Sequence, residues 1–315
     1  MARFFDLPRE LRDMVYHELI TGESPIPTLG GDQWRFRFRR VVEPQSSKTG
    51  EYGCAYSTNR RPRTCANMLQ CNRQVFAEMT EAIWRARRKD LIKVKLDCIA
   101  EDESFHYFTW LSIPLVATAK NVEVGKSRMM PAWADGMIRR YTGSLFQRST
   151  TRINQLWIDV RLVGDRSGKL CSNNGSSSDR TSWAICAALK HILEKGPDLC
   201  NMKDTANETT MDELVLNVVS QAKVAEERYL PEDYPLMGLM EGSVHPKTVA
   251  RELVNVWQKI WASSDFKSVY YHILLERIKR VRVCIDGETW SRRELRTELD
   301  KGQLEQQRIA ARVGW

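Results

Sequence analysis

The residues that could carry out chemistry are scattered along this 315-residue chain. Its five histidines, His17, His106, His191, His245 and His272, lie far apart from one another. No Gly-x-Ser-x-Gly sequence accompanies them, the arrangement that presents the catalytic serine of α/β-hydrolases. Nothing in the sequence selects a serine or cysteine nucleophile with a histidine base. We therefore predict no catalytic residues and a protein that is not an enzyme.

The eight cysteines do not have the spacing of a metal site. Cys54, Cys65 and Cys71 form no Cys-x-x-Cys pair and have no paired histidines near them, and structural metal sites need such clustered ligands. We expect reduced thiols, because the cysteines are spread through a long chain without a secretory signal. Three of them lie in apolar patterns and are predicted to be core residues: Cys98, Cys186 and Cys284. The sequence thus predicts neither a metal nor a cofactor.

The composition indicates a folded globule. Hydrophobic residues make up 42% of the chain and there are ten tryptophans, which is more apolar surface than disordered chains carry. The N-terminus lacks the apolar segment of a signal peptide, and no apolar run approaches the roughly 18 residues that a membrane helix needs. We therefore expect no membrane association and a cytoplasmic or nuclear location.

The first twenty residues predict an amphipathic helix that begins near Pro8. Proline suits a first helical turn, because its fixed φ angle is compatible with a helix and its missing N–H would have no partner there. Apolar residues recur at spacings of three and four and are expected to share one buried face: Leu7, Leu11, Met14, Val15 and Leu19. The same spacing predicts that the polar residues face water: Arg9, Arg12, Asp13 and His17. A Gly- and Pro-containing stretch from Thr21 to Pro27 should end the helix.

A second helix is predicted from Met68 to about Arg87, where apolar residues again keep helical spacing. Basic residues at its C-terminal end, from Arg85 to Lys89, complement the helix dipole. The aromatic and basic residues between Trp34 and Arg39 alternate with period two, which predicts a strand with one buried face. A hairpin is expected around residues 51–57.

These helices carry a resemblance to a known family. Leu7-Pro8-Arg9-Glu10-Leu11-Arg12 resembles the start of an F-box, and in particular the variant found in filamentous-fungal F-box-like proteins. Leu69-Gln70-Cys71-Asn72-Arg73-Gln74-Val75 is similar to the second helix of that fungal family, with Asn72 inserted. In an ordinary F-box the helices follow almost directly on one another, whereas here roughly forty-seven residues separate Ile20 from Met68.

The resemblance implies a non-enzymatic adaptor of a ubiquitin ligase, with a Skp1-type partner and an unidentified protein client. The residues that would contact the partner are Leu7, Pro8, Leu11 and Val15. Two alternatives remain open for them. The same residues could cover the protein's own core, or the domain could be an interaction scaffold that has no ligase partner.

Nucleic-acid binding is a further alternative, because the net charge is +8. Basic residues concentrate in the first third of the chain: Arg35, Arg37, Arg39, Arg60, Arg61, Arg63, Arg87, Arg88 and Lys89. Single-stranded nucleic acid needs aromatic rings and basic groups that are exposed together. In a strand, however, Trp34, Phe36 and Phe38 point away from the arginines between them. We therefore favour a core role for these aromatics.

The remainder of the chain contains four similar segments with apolar residues at positions 1, 4, 6 and 8. They begin at Leu91, Ile153, Met211 and Ile278, and each predicts a short strand. Amphipathic helices are predicted between them, over Phe105–Leu115, Trp183–Glu194 and Val249–Ser263, with another short strand over Lys120–Val124. Strands that alternate with helices predict a parallel or mixed sheet with packed helices. Chance similarity and true repetition of the four segments are equally compatible with the sequence.

The predicted fold class is α+β. F-box-like helices over residues 1–90, with a β insertion at 21–67, precede a strand and helix body over 91–289. A flexible loop is expected at 171–180, and a charged helix over 290–315. All of these parts are expected to form one continuous globular unit.

Overall fold

A computed structural model describes twelve stretches of the chain: residues 4–27, 37–39, 53–58, 68–69, 71–101, 105–113, 117–120, 149–163, 180–196, 208–220, 246–262 and 266–297. The helices are α1 (Arg9–Thr21), α2 (Arg73–Arg88), α3 (Arg180–Lys195), α4 (Pro246–Ala262) and α5 (Phe266–Arg277). The strands are β1 (Phe38–Arg39), β2 (Cys54–Ser57), β3 (Val94–Glu101), β4 (Phe105–Ser112), β5 (Ala117–Lys120), β6 (Ser149–Val163), β7 (Glu208–Val219), β8 (Ile278–Ile285) and β9 (Glu288–Glu294).

The nine described strands form a single mixed sheet. Eight of them follow the order β1-β2-β4-β3-β6-β7-β8-β9, and β5 pairs with the start of β6. Strands β3, β6, β7 and β8 are mutually parallel neighbours. The flanking strands β4 and β9 run antiparallel to β3 and β8. The α+β class, with a mixed sheet and packed helices, is thus confirmed.

The four parallel strands are the four similar segments, and they align with their apolar positions in register. Position 6 of the pattern forms one row across the sheet: Leu96, Ile158, Leu216 and Val283. Position 4 forms a second row: Val94, Leu156, Leu214 and Val281. A shift by one residue would turn each strand's apolar set to the other face. The shared pattern therefore accounts for the register of the four strands, although it is the same in all of them and does not determine which strands become neighbours.

These rows build the main core against helices α3, α4 and α5. Trp257 of α4 and Tyr271 of α5 are almost completely buried there, as are the predicted core cysteines Cys98 and Cys186. Cys284 is also buried. Helices α3 and α4 fall where the amphipathic patterns over Trp183–Glu194 and Val249–Ser263 predict them.

The helix predicted over Phe105–Leu115 is wrong, and the helix predicted over 290–315 is wrong at residues 290–294. Phe105–Ser112, at the start of the first amphipathic segment, forms strand β4, because it pairs with β3 on one side and with β2 on the other. Residues 290–294 belong to the edge strand β9, which pairs with β8. The charged residues Arg292, Arg293 and Glu294 suit an edge that faces water.

The β insertion is part of the main sheet. Strand β1 pairs antiparallel with β2, and β2 joins the sheet through a parallel pairing with β4. Phe38 packs against a small cluster of buried residues that includes Ile99 and Tyr107, in agreement with its predicted core role. Other predictions lie outside the described residues: Trp34, Phe36, residues 121–124, the loop at 171–179 and the segment 298–315.

Helices α1 and α2 pack on each other and form a second apolar cluster, separate from the main core. Its buried residues are Tyr16, Ile20, Val75, Met79, Ala82 and Ala86. A segment that follows α1 ties this helix pair to the sheet, since the Ser24 N–H donates to the Leu111 carbonyl of β4 at 2.7 Å. Contacts with α2 therefore decide which face of α1 points inward, whereas the segment after α1 joins the helix pair to the sheet.

Candidate functional site in the N-terminal helix pair

Helix α1 begins and ends where its sequence predicts. Pro8 occupies the position before the first helical residue, and Gly22 follows the last one. The Gly22 N–H donates to the Glu18 carbonyl at 2.7 Å. A Cβ atom at Gly22 would lie 2.6 Å from that same oxygen, which is too close for a side chain. The helix end therefore requires glycine.

Helix α2 begins at the residue that distinguishes this chain from the family pattern. The Asn72 side chain accepts hydrogen bonds from the Gln74 and Val75 N–H groups at 2.6 and 3.1 Å. It thereby satisfies two of the donors that the first turn of any helix leaves free. The inserted asparagine is thus the N-cap of α2, and the helix starts at Arg73 rather than at the predicted Met68.

The inner face of α1 is not the predicted one. Arg12, Tyr16 and Ile20 are buried against α2, at a spacing of four residues that places them in one stripe. The prediction that Arg12 faces water is therefore wrong. Four of the residues predicted to be buried are exposed instead: Leu11, Met14, Val15 and Leu19. Asp13 and Arg9 are also partly covered, because both form ion pairs with α2.

A buried ion pair fixes this orientation. Arg12 donates to both carboxylate oxygens of Glu78, from Nε at 3.0 Å and from Nη2 at 2.9 Å. The Tyr16 hydroxyl and the Gln74 amide donate to the same carboxylate at 3.0 and 2.9 Å. Arg12 also donates from Nη1 to the Leu7 carbonyl at 2.6 Å, which holds the chain just before the helix.

The hydrogen bonds around this ion pair determine the protonation states of Glu78 and Tyr16. Hydrogen bonds from Arg12, aided by those from Gln74 and Tyr16, outweigh burial and lower the pKa of Glu78 to about 2. Burial and the hydrogen bond to Glu78 raise the pKa of Tyr16 to about 12. Glu78 is therefore ionised and Tyr16 protonated at neutral pH, the states that their hydrogen bonds require.

The outer face of α1 is apolar and exposed to solvent. Between 40% and 67% of the surface of each of its apolar residues is exposed: Leu11, Met14, Val15 and Leu19. We call these four residues the outer stripe. They occupy one side of the helix at spacings of three and four. Exposed side chains that form a contiguous apolar patch are characteristic of an interaction site, whereas isolated ones are common on any protein surface.

The structure separates the predicted partner-binding residues into exposed and half-buried ones. Pro8, Leu11 and Val15 are exposed, while Leu7 is half-buried. Met14 and Leu19 extend the same surface. Sequence reasoning also missed the buried pair of Arg12 and Glu78. The available signal was the Arg12-Tyr16-Ile20 stripe, together with the position of Glu78 between the apolar residues of α2.

Of the described histidines, only His106 is fully inside the protein. His106 is buried, and its Nε2 lies 3.0 Å from the Thr181 hydroxyl. Burial, with a smaller effect from Arg180, lowers the pKa of His106 to about 3, so its ring is neutral at neutral pH. Among the described residues, no three His, Cys, Asp or Glu side chains are grouped as a metal site would require.

Only part of the predicted basic surface falls within the described side chains. Arg37, Arg88 and Lys89 are exposed, and Arg87 is half-buried. The side chains of Arg35, Arg39, Arg60, Arg61 and Arg63 lie outside the described part of the structure. None of the described helices is long and apolar enough to cross a membrane.

Comparisons with protein-family models, with curated proteins and with solved structures found no match to this chain.

Proposed function

We propose that this protein is a non-enzymatic F-box-like adaptor, in which the outer stripe of α1 docks on a Skp1-type partner of a ubiquitin ligase. One observation carries the proposal: α1 exposes four apolar residues, those of the outer stripe, and buries a charged one. A helix that only covered the protein's own core would do the reverse, because transferring apolar surface out of water is what stabilises packing.

The inner contacts of α1 make the outer stripe available in a fixed orientation. Arg12 and Tyr16 hold the helix through Glu78, and Arg9 and Arg85 add ion pairs between the two helices at 3.0 and 2.9 Å. An apolar helix face held in this way needs little rearrangement to enter an apolar groove, which is a common mode of helix recognition. The mixed sheet and its helices would then present the client.

The proposal is tested with the double variant Leu11→Asp, Val15→Asp. Both side chains are exposed, so we expect the variant to fold with an unchanged far-UV circular dichroism spectrum. It should lose the complex with a purified Skp1-type adaptor that the wild-type chain forms in a pulldown. Val269→Asp is the matched control, because Val269 is a highly exposed apolar residue on helix α5, and it should retain the complex.

Two results would contradict the adaptor function. The first is the absence of any complex between the wild-type chain and the Skp1-type adaptor. The second is a complex that the double variant retains at wild-type strength, since the partner would then bind elsewhere. In the first case an interaction scaffold without a ligase partner becomes the better interpretation of the exposed stripe.

A further inference from the structure

Helix α2 presents two aromatic rings to solvent. Phe76 and Trp84 are 55% and 59% exposed, although aromatic side chains stabilise a fold most when they are buried. The buried residues Val75, Met79 and Ala82 lie on the other side of the helix, in the cluster that α2 forms with α1. The two rings are thus not among the residues that hold the helix pair together.

Basic residues share the outer side of α2 with these rings. An α-helix has about 3.6 residues per turn, which places one set of residues on the side that faces away from the buried cluster: Arg73, Phe76, Ala77, Thr80, Trp84, Arg87 and Arg88. We call these residues the outer face of α2. Arg73 and Arg88 are exposed, and Arg87 is half-buried.

The three arginines of this face carry charge that the protein does not neutralise. Among the residues that the structure describes, no carboxylate pairs with any of them. Glu81 lies at the edge of the face, but its carboxylate is paired with Arg9 of α1 at 3.0 Å. The outer face of α2 is therefore positive, and charge complementarity favours an anionic partner.

The rings on this face are separated, unlike the apolar residues of the outer stripe of α1. Phe76 and Trp84 are eight residues apart, which corresponds to about 12 Å along the helix axis, and Thr80 lies between them. A partner helix or an apolar groove needs a continuous apolar stripe. Single-stranded nucleic acid instead needs separate aromatic rings for its bases and basic groups for its phosphates, exposed on the same surface.

We propose that the outer face of α2 binds single-stranded nucleic acid. Bases would stack on the rings of Phe76 and Trp84, and phosphates would pair with the three arginines. We expect little sequence preference, because stacking accepts any base and phosphate contacts carry no sequence information. The outer stripe of α1 is not part of this face, so the inference does not rest on the adaptor proposal.

Fluorescence anisotropy with oligo(U) and oligo(dU) of about 12 nucleotides tests the proposal on the full chain. Both should bind at low salt, and the logarithm of the association constant should fall against that of the salt concentration with a slope of about −2, since each phosphate contact on a single strand contributes about −0.7. The ratio of the two affinities assigns RNA or DNA, because contacts to the 2′-hydroxyl would favour oligo(U).

Two variants separate stacking from charge. Trp84→Ala should weaken both oligonucleotides by about tenfold, the effect of losing one stacked base, and should leave the salt slope unchanged. The double variant Arg73→Ala, Arg88→Ala should also weaken binding, but it should make the slope shallower by about 1.4, since two phosphate contacts are lost. The substituted side chains are exposed, so we expect unchanged far-UV circular dichroism spectra.

Each variant has a matched control. Trp261→Ala removes an exposed tryptophan from helix α4, and Arg251→Ala, Arg296→Ala removes the same charge from exposed positions away from α2. Both controls should bind nearly as well as the wild-type chain, because charges more than a Debye length from the nucleic acid are screened by salt.

The proposal is overturned if the folded wild-type chain binds neither oligonucleotide at low salt, or if a control variant weakens binding as much as its counterpart on α2. It is also overturned if poly-L-glutamate displaces the oligonucleotides at equal charge concentration, since the face would then select acidic partners in general, proteins included. A loss of binding to a Skp1-type adaptor would leave these measurements unaffected.

Discussion

Replacing Glu78 with glutamine should loosen helix α1 from α2. The Glu78 carboxylate receives hydrogen bonds from Arg12, Tyr16 and Gln74. Glutamine has the same shape but a single acceptor oxygen and no charge, so Arg12 would remain buried without its counter-ion. An uncompensated buried charge is one of the few causes of large mutational effects on stability.

The expected loss is large because both partners are inside the protein. The side chains of Arg12 and Glu78 are 11% and 6% exposed, and breaking a buried ion pair by removing one partner costs about 3 to 5 kcal/mol. The glutamine oxygen retains one hydrogen bond, so we expect about 3 kcal/mol. Glu81→Gln is the control. Glu81 pairs with Arg9 at 3.0 Å, but its side chain is 63% exposed, and exposed pairs contribute about 0 to 1 kcal/mol.

Amide hydrogen exchange is the suitable assay, because α1 and α2 form a cluster separate from the main core and could open locally. Exchange of the α1 amides should accelerate in Glu78→Gln by the factor that corresponds to the lost free energy, about a hundredfold. The amides of β6 and β7 should be unaffected. The double variant Arg12→Met, Glu78→Met should restore most of the protection, because an apolar pair can replace a buried ion pair without loss.

Two results would refute this reasoning. If the α1 amides are equally protected from exchange in Glu78→Gln and in Glu81→Gln, the buried pair does not hold the helix. If Arg12→Met, Glu78→Met is less protected than Glu78→Gln, the charge left unpaired is not the cause of the loss.

Further predictions concern the pH dependence of folding, a helix cap and the core. The pKa of His106 in the folded protein is about 3, below its ordinary value of 6.5. The stabilisation that comes from keeping this ring neutral is therefore complete above pH 6.5 and falls as the pH drops toward 3. His106→Leu should flatten the free energy of unfolding over this pH range, as measured by urea unfolding. Asn72→Ala should lower the free energy of unfolding by about 1 kcal/mol in urea unfolding, and Arg73→Ala should lower it much less. Leu216→Ala, in the main core, should cost about 2 to 5 kcal/mol, whereas Val269→Ala should change stability by less than about 0.5 kcal/mol.

The four parallel strands of the sheet were predictable from the sequence because their information is local. An apolar residue at every second position marks a strand face, and the same pattern occurs in all four parallel strands. Strand β4 was not predictable in this way. Seven of its eight residues are buried, so both of its faces are covered and no alternation distinguishes it from a helix.

The sequence by itself determined that residues after Pro8 form a helix, where that helix ends, and that four apolar segments form strands. Only the tertiary structure decided which way the helix faces. Periodicity places Leu11 and Val15 inside and Arg12 outside, since it treats every charge as solvated. The partner that makes burial of Arg12 favourable, Glu78, lies 66 residues along the chain. The resulting contact turns the outer stripe of α1 to the solvent, and with it the surface on which the proposed function depends.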